Sequence, residues 1–143
     1  LTLFPAEGDF PTMDTSHRLK RKNDAGDLIP DTFAHEQDLL ITVEGKSVLV
    51  AGCSHRGIVN IQRRGAEILG RQPDAVVGGF HLFQLDPAAP ASEKLLNQIG
   101  HALLPGDTVY YTGHCTGDDA YAWLRETLGD RLAYMATGTT FTI

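Results

Sequence analysis

Three segments of this chain bring imidazoles and thiols to glycine-rich breaks: Gly52-Cys53-Ser54-His55, Gly78-Gly79-Phe80-His81 and Gly113-His114-Cys115-Thr116-Gly117. Each follows a short apolar run of strand character, and the glycines let the backbone turn the next side chain into a cleft. Zinc and iron take imidazole nitrogens at about 2.0–2.2 Å and need donors converging from several elements, so this pattern suits a metal centre better than a core. His55 and His114 are the expected metal ligands. Cys53, two residues before His55, is the candidate thiolate ligand, with a small buried hydrophobe as its other reading. His81, behind a Gly-Gly bend, fits a substrate-facing general acid as well as a ligand. Cys115 directly follows His114, so in extended backbone the two face opposite ways, and Cys115 reads as a packed or reactive thiol.

Weaker candidates surround these. Ser54 and Asn60 could cap the next helix or donate to an anion at its N-terminus. Asp31 and Glu36 could orient a ligating histidine, although an exposed loop charge is the preferred reading. His17 and His35 have no such context, and His101, after Gly100 on a helix, is expected at the surface. The two cysteines sit beside histidines in a chain without an export signal, which favours free thiols over a disulfide.

The elements that must position these groups can be read from apolar spacing. Leu39 to Val43 and Ser47 to Ala51 form a hairpin around Glu44-Gly45-Lys46. The apolar positions Ile58, Ile61, Ala66 and Ile68-Leu69 predict a helix that stops at Gly70. Asp74 to Val77 is a short strand. Ser92 and Glu93 could cap a helix running to Leu104, with Leu95, Leu96, Ile99 and Leu103 inward. Thr108 to Thr112 is a further strand, Asp118 or Asp119 opens a helix ending near Gly129, and one or two short strands occupy Leu132 to Ile143. Residues 1–37 read as an irregular lead-in with prolines at 5, 11 and 30. Strands alternating with helices indicate an α/β layered sheet. Ligands in such sheets collect at the carboxyl ends of strands, where the three glycine-histidine segments fall.

Composition bounds the rest. At 143 residues with 42% apolar and 21% charged residues, the chain is one domain or a large part of one. A net charge of −6 argues against a nucleic-acid surface; the basic run His17 to Lys22 is the local exception. No apolar run approaches the roughly 20 residues of a membrane helix, and no signal peptide is visible, so a cytoplasmic location is expected. The chain opens on Leu1 rather than methionine, which suggests a removed upstream piece.

Taken together, the segments resemble the metallo-β-lactamase fold superfamily. The nearest subgroup is that of a dihydropterin/ribofuranosylaminobenzene-phosphate synthase. Four ordered matches carry the resemblance: Asp31-x-Phe33-x-x-Glu36, Gly52 to Asn60, Gly78 to Leu82 and His114 to Gly117. It implies an αββα sandwich with one or two divalent metals at its edge, zinc foremost, iron or manganese as alternatives. The superfamily's His-x-His-x-Asp-His motif is absent, so residues 1–143 are expected to be the C-terminal portion of one such domain. The implied function is metal-activated water acting on a small, phosphorylated or pterin-like substrate. His55, His114 and Cys53 would serve as ligands, His81 as the catalytic group, and Ser54, Phe80 and Thr116 as substrate-binding positions. A missing N-terminal half or another copy of the chain would cover the bare sheet face. Two other readings stand beside this one: a non-catalytic half-domain that binds metal or a partner, and a thiol-based redox or nucleophile site at Cys53 or Cys115.

Overall fold

A computed structural model describes residues 1–15 and 18–143. His17, the head of the basic run, lies outside the described residues. In chain order the elements are β1 (Thr2–Phe4), β2 (Lys20–Lys22), β3 (Leu28–Pro30), β4 (Asp38–Val43), β5 (Lys46–Val50), α1 (Ile58–Leu69), β6 (Ala75–Val77), α2 (Pro90–Leu103), β7 (Val109–Thr112), α3 (Asp118–Leu128) and β8 (Leu132–Tyr134), with 3-10 turns at His114–Thr116 and Gly129–Arg131. The principal sheet runs β1-β4-β5-β6-β7-β8, and β2 pairs with β3 in a separate antiparallel arm. β1, β4 and β5 are antiparallel neighbours. From β5 to β8 every pairing is parallel.

Three expectations change in detail. The lead-in contributes a sheet strand, because Thr2, Leu3 and Phe4 pair with Leu40, Leu39 and Asp38. The second helix begins at Pro90 rather than at a Ser92 cap: proline occupies the first turn, where its missing N–H costs nothing, and Ala89 makes no side-chain cap. Beyond Tyr134 the described residues contain no further strand.

Because β5, β6, β7 and β8 are adjacent in chain order, right-handed crossovers put all three helices on one side of the sheet. The core agrees with that topology. Leu40, Leu49, Val76, Tyr110 and Leu132 from the strands pack with Ile58 and Ile61 of α1, Leu96, Ile99 and Leu103 of α2, and Leu124 and Leu128 of α3. The alternate strand positions Leu39, Ile41, Val48, Val50, Val77, Val109, Tyr111 and Ala133 are half-buried and wholly apolar, and they form the other face. Phe141 of the tail stacks on Tyr111 there, with ring centroids 3.8 Å apart. Among the described residues no helix is long and apolar enough to cross a membrane.

Candidate metal centre

β5, β6 and β7 end side by side, and their outgoing loops lock to one another through the backbone. Ala51 N donates to Val77 O at 2.8 Å, Gly79 N to Gly52 O at 2.9 Å and Gly78 N to Tyr111 O at 3.0 Å. His55, His81 and His114 leave this edge together. Among the described residues five non-glycine residues have positive φ, and four surround the site: Phe33 at 53°, Ser54 at 59°, His81 at 52° and His114 at 50°. The fifth, Glu44, lies in the β4–β5 turn. Left-handed backbone is costly for such side chains, roughly 1–3 kcal/mol each, and persists where the surroundings impose it.

The His55 ring lies 4.1 Å from the His81 ring, centroid to centroid, at 55°. Phe33 stacks on His55 at 4.0 Å and 6°, and Phe83 meets His81 edge-on at 5.6 Å. The Nδ1 atoms of both histidines are buried, and neither has a hydrogen-bond partner among the described residues. Burial pushes the His55 imidazole below its ordinary pKa, against the opposing pull of Glu36 and Asp31. His81 is lowered to about 4, first by burial and then by the neighbouring His55 and His114. Both rings are therefore neutral near pH 7, with a nitrogen lone pair available. Buried polar atoms normally find a partner, and two orphaned imidazole nitrogens at one sheet edge suit an electrophile such as a metal ion.

The sulfurs lie at the same edge. One donor atom each from Cys53, His114 and Cys115 falls within 4.8 Å of the other two. The extended-backbone argument that turned Cys115 away from His114 does not hold, because His114–Thr116 is a 3-10 turn with His114 at positive φ. Cys115 Sγ donates to Cys53 O at 3.6 Å. Burial pushes the Cys115 thiol up to about 11. Both cysteines are free thiols. The sulfur of Cys115 also explains Gly79: a Cβ there would lie 2.5 Å from Sγ.

The supporting residues hold backbone. Glu36 accepts from His55 N and Arg56 N, both at 2.8 Å, so its carboxylate orients the loop and not an imidazole. Asp31 Oδ1 accepts from Phe33 N at 2.8 Å and shapes the turn that lays Phe33 on His55. The run Asp31-x-Phe33-x-x-Glu36 is thus one device for fixing the His55 loop. Asn60 caps no helix: its amide bonds Phe10 O and Arg56 O and accepts from Phe10 N, pinning residues near 10 across α1. Arg56 adds bonds to Ala6 O and Thr32 O.

The three expected substrate-binding positions are all buried. Thr116 is fully covered, accepts from Phe80 N at 2.9 Å and bonds Thr112 Oγ1, joining the loops after β6 and β7. Phe80 packs edge-on against Tyr110 in the core. Ser54 is 2% exposed and its hydroxyl has no partner among the described residues. It makes no side-chain cap on α1, whose N-cap is Gly57. As placed, Thr116 ties the loops together and Phe80 packs into the core. His35 and His101 are exposed, His35 lying 3.8 Å from Asp31 and His101 bonding Asn97 O.

The role of Arg56 and the burial of Asp38 escape sequence reading. Asp38 is 1% exposed on the helix-covered side of β4, and neither carboxyl oxygen has a partner among the described residues. Burial, with the nearby Glu36, raises its pKa to about 7. A carboxylate opening a strand gives no local signal of such burial.

Comparison with known proteins adds a fold. No protein-family model matches the chain. Over 97 residues it is 35% identical to 7,8-dihydropterin-6-methyl-4-(β-D-ribofuranosyl)-aminobenzene-5'-phosphate synthase of Methanocaldococcus jannaschii, a match covering 67% of this chain and 31% of that protein. An uncharacterised protein of the same organism, MJ0448, is 33% identical over 81 residues, covering 57% of this chain and 28% of that one. The chain therefore spans about a third of the length of these relatives. The crystal structure of Tm1679, a metal-dependent hydrolase of the β-lactamase superfamily, superposes with a TM-score of 0.71 at 24% identity. That superposition takes in 99% of this chain and 52% of the other. The chain has the metallo-β-lactamase fold, amounting to about half of it.

Proposed function

We propose that the chain is the C-terminal portion of a metal-dependent hydrolase-like enzyme acting on a small, phosphorylated or pterin-like substrate. The observation that carries this reading is the convergence of His55, His81 and His114 at one sheet edge, with the Nδ1 atoms of His55 and His81 buried and unpartnered among the described residues. His55, His114 and Cys53 would hold divalent metal at this edge, one or two ions, zinc by donor type, with iron or manganese as alternatives. Bound there, the metal would supply Lewis acidity toward a phosphoryl or carbonyl oxygen and a water acidic enough to react near neutral pH. The chain's own residues do the rest. Glu36 and Phe33 fix the His55 ring from the backbone side and the face. His81, neutral and in contact with His55, holds or accepts a proton beside the reacting group. The synthase similarity supports the pterin-like choice of substrate.

The chain carries no His-x-His-x-Asp-His run, so further ligands would come from the other half of the sandwich. The unbroken apolar face of Leu39, Ile41, Val48, Val50, Val77, Val109 and Tyr111 fits that half, or failing it a second copy of the chain. Free Cys53 and Cys115 suit a reducing, cytoplasmic compartment. The test is turnover of phosphate esters and reduced pterin phosphates by the intact protein loaded with zinc, iron or manganese. Chelation should abolish it, and His81→Ala should lower it by about 10²-fold or more, the usual worth of a general acid–base group. Turnover that survives chelation, or that His81→Ala leaves unchanged, would overturn the reading.

A further inference from the structure

We infer that Cys53, Cys115 and His114 form a thiophilic metal position, one that takes zinc(II) or cadmium(II) through two sulfurs and one imidazole, separate from the His55–His81 pair. The inference rests on the metal-centre reading above and adds Cys115 to it.

The donor geometry is the first support. A tetrahedral ion with bonds of about 2.3 Å to sulfur and about 2.0 Å to nitrogen has donor–donor edges of roughly 3.3–3.8 Å. The three donors already lie within 4.8 Å of one another, so a contraction of about 1 Å closes the site. Mobility is distributed to allow it: His114 is exposed and Cys53 half-buried, while Cys115 is buried against the backbone of Gly79. One fixed donor and two adjustable ones can collapse onto an ion without moving a strand.

The second support is what the local backbone sacrifices to present these atoms. His114 holds a positive φ of 50°, and the 3-10 turn through Thr116 puts two consecutive side chains toward one point, which extended backbone forbids. Thr112 and Thr116 tie that turn down through their hydroxyls. Gly79 has no side chain where one would strike the Cys115 sulfur. A buried thiol serving only as a small hydrophobe needs none of this.

The third support is exclusion. No set containing His55 or His81 brings three such donors this close among the described residues. Their buried Nδ1 atoms remain unpartnered beside the sulfur set, free for a second ion or for substrate. Two thiolates and one imidazole favour thiophilic ions over magnesium, calcium or manganese, and three protein donors leave the fourth position of a tetrahedron open.

Cobalt(II) and cadmium(II) titrations of the intact reduced protein test this by absorbance, because thiolate ligation produces sulfur-to-metal charge-transfer bands and imidazole ligation does not. The expected result is a band that saturates at one equivalent, falls about two-fold in Cys115→Ser and in Cys53→Ser, disappears in the double variant and persists in His55→Ala. Protection of both thiols from alkylation by cadmium in the unsubstituted protein is the second readout, independent of whether a variant folds. Metal binding without a charge-transfer band, or with a band that Cys115→Ser leaves unchanged, overturns the inference and leaves the histidine reading standing. Absence of metal binding altogether overturns both.

Discussion

Asp38 offers a quantitative test of the core that supports the site. Its carboxyl is 1% exposed, with both oxygens unpartnered among the described residues, and its pKa is raised from 3.8 to about 7. Burial is the main cause, with repulsion from Glu36 second. Between about pH 4 and 7 the folded chain holds a proton that the unfolded chain has released, so folding stability falls as pH rises across that window. At about 1.4 kcal/mol for each tenfold change, the full loss is about 4 kcal/mol for a carboxylate that stays dry. One hydrogen-bonding water would reduce it to about 2 kcal/mol. Asp38→Asn keeps the shape and removes the ionisation. Urea unfolding of both proteins at pH 5 and pH 8 measures the effect, and the difference between them cancels the titrating groups that do not interact with Asp38. The stability of Asp38→Asn relative to the parent should grow by about 1–3 kcal/mol from pH 5 to pH 8, the remaining third or so of the loss having fallen between pH 4 and 5. A difference that does not change between the two pH values, or that moves against the asparagine variant at pH 8, would refute the buried, unpaired assignment.

Other perturbations follow from the same geometry. Glu36→Gln weakens two charge-assisted bonds to the His55 loop and should cost about 1–3 kcal/mol in urea unfolding, with weaker metal retention because the loop carrying His55 is less fixed. Gly79→Ala drives a Cβ into the Cys115 sulfur and should cost about 1–3 kcal/mol by thermal or urea unfolding; a neutral result would contradict the packing of that thiol. Thr116→Val removes the acceptor for Phe80 N and the partner of Thr112, and a loss of about 1–3 kcal/mol is expected. If Thr116 instead contacts substrate, the variant should change substrate affinity at unchanged stability.

Much of the fold was legible because its signals are local. The β4–β5 hairpin follows from β-branched alternation about Glu44-Gly45, and α1 and α3 end at glycines where the apolar period stops. The three histidines could be placed at one edge because each follows a glycine at a strand's carboxyl end, and topology then brings adjacent strands together. What was not legible depends on partners distant in the chain. Leu3 gives no strand signal until Leu39 lies beside it. Cys115 was turned the wrong way because only the loop packing around Gly79 and Thr116 imposes a 3-10 turn at His114. Glu36 was recognisable as a candidate, but its use of both oxygens on His55 N and Arg56 N needs the fold. Ser54, Phe80 and Thr116 flank the histidines in sequence, and their burial depends on packing from distant elements that no local signal carries.

Metal content per chain, measured by elemental analysis on the intact protein purified without added chelator, tests the central claim most directly. The account predicts zinc, iron or manganese bound to the unsubstituted protein and a lower metal content per chain in His55→Ala and in His114→Ala, with folding confirmed by circular dichroism. Metal that stays at the same level in both folded variants would contradict the assignment of this sheet edge as a metal centre.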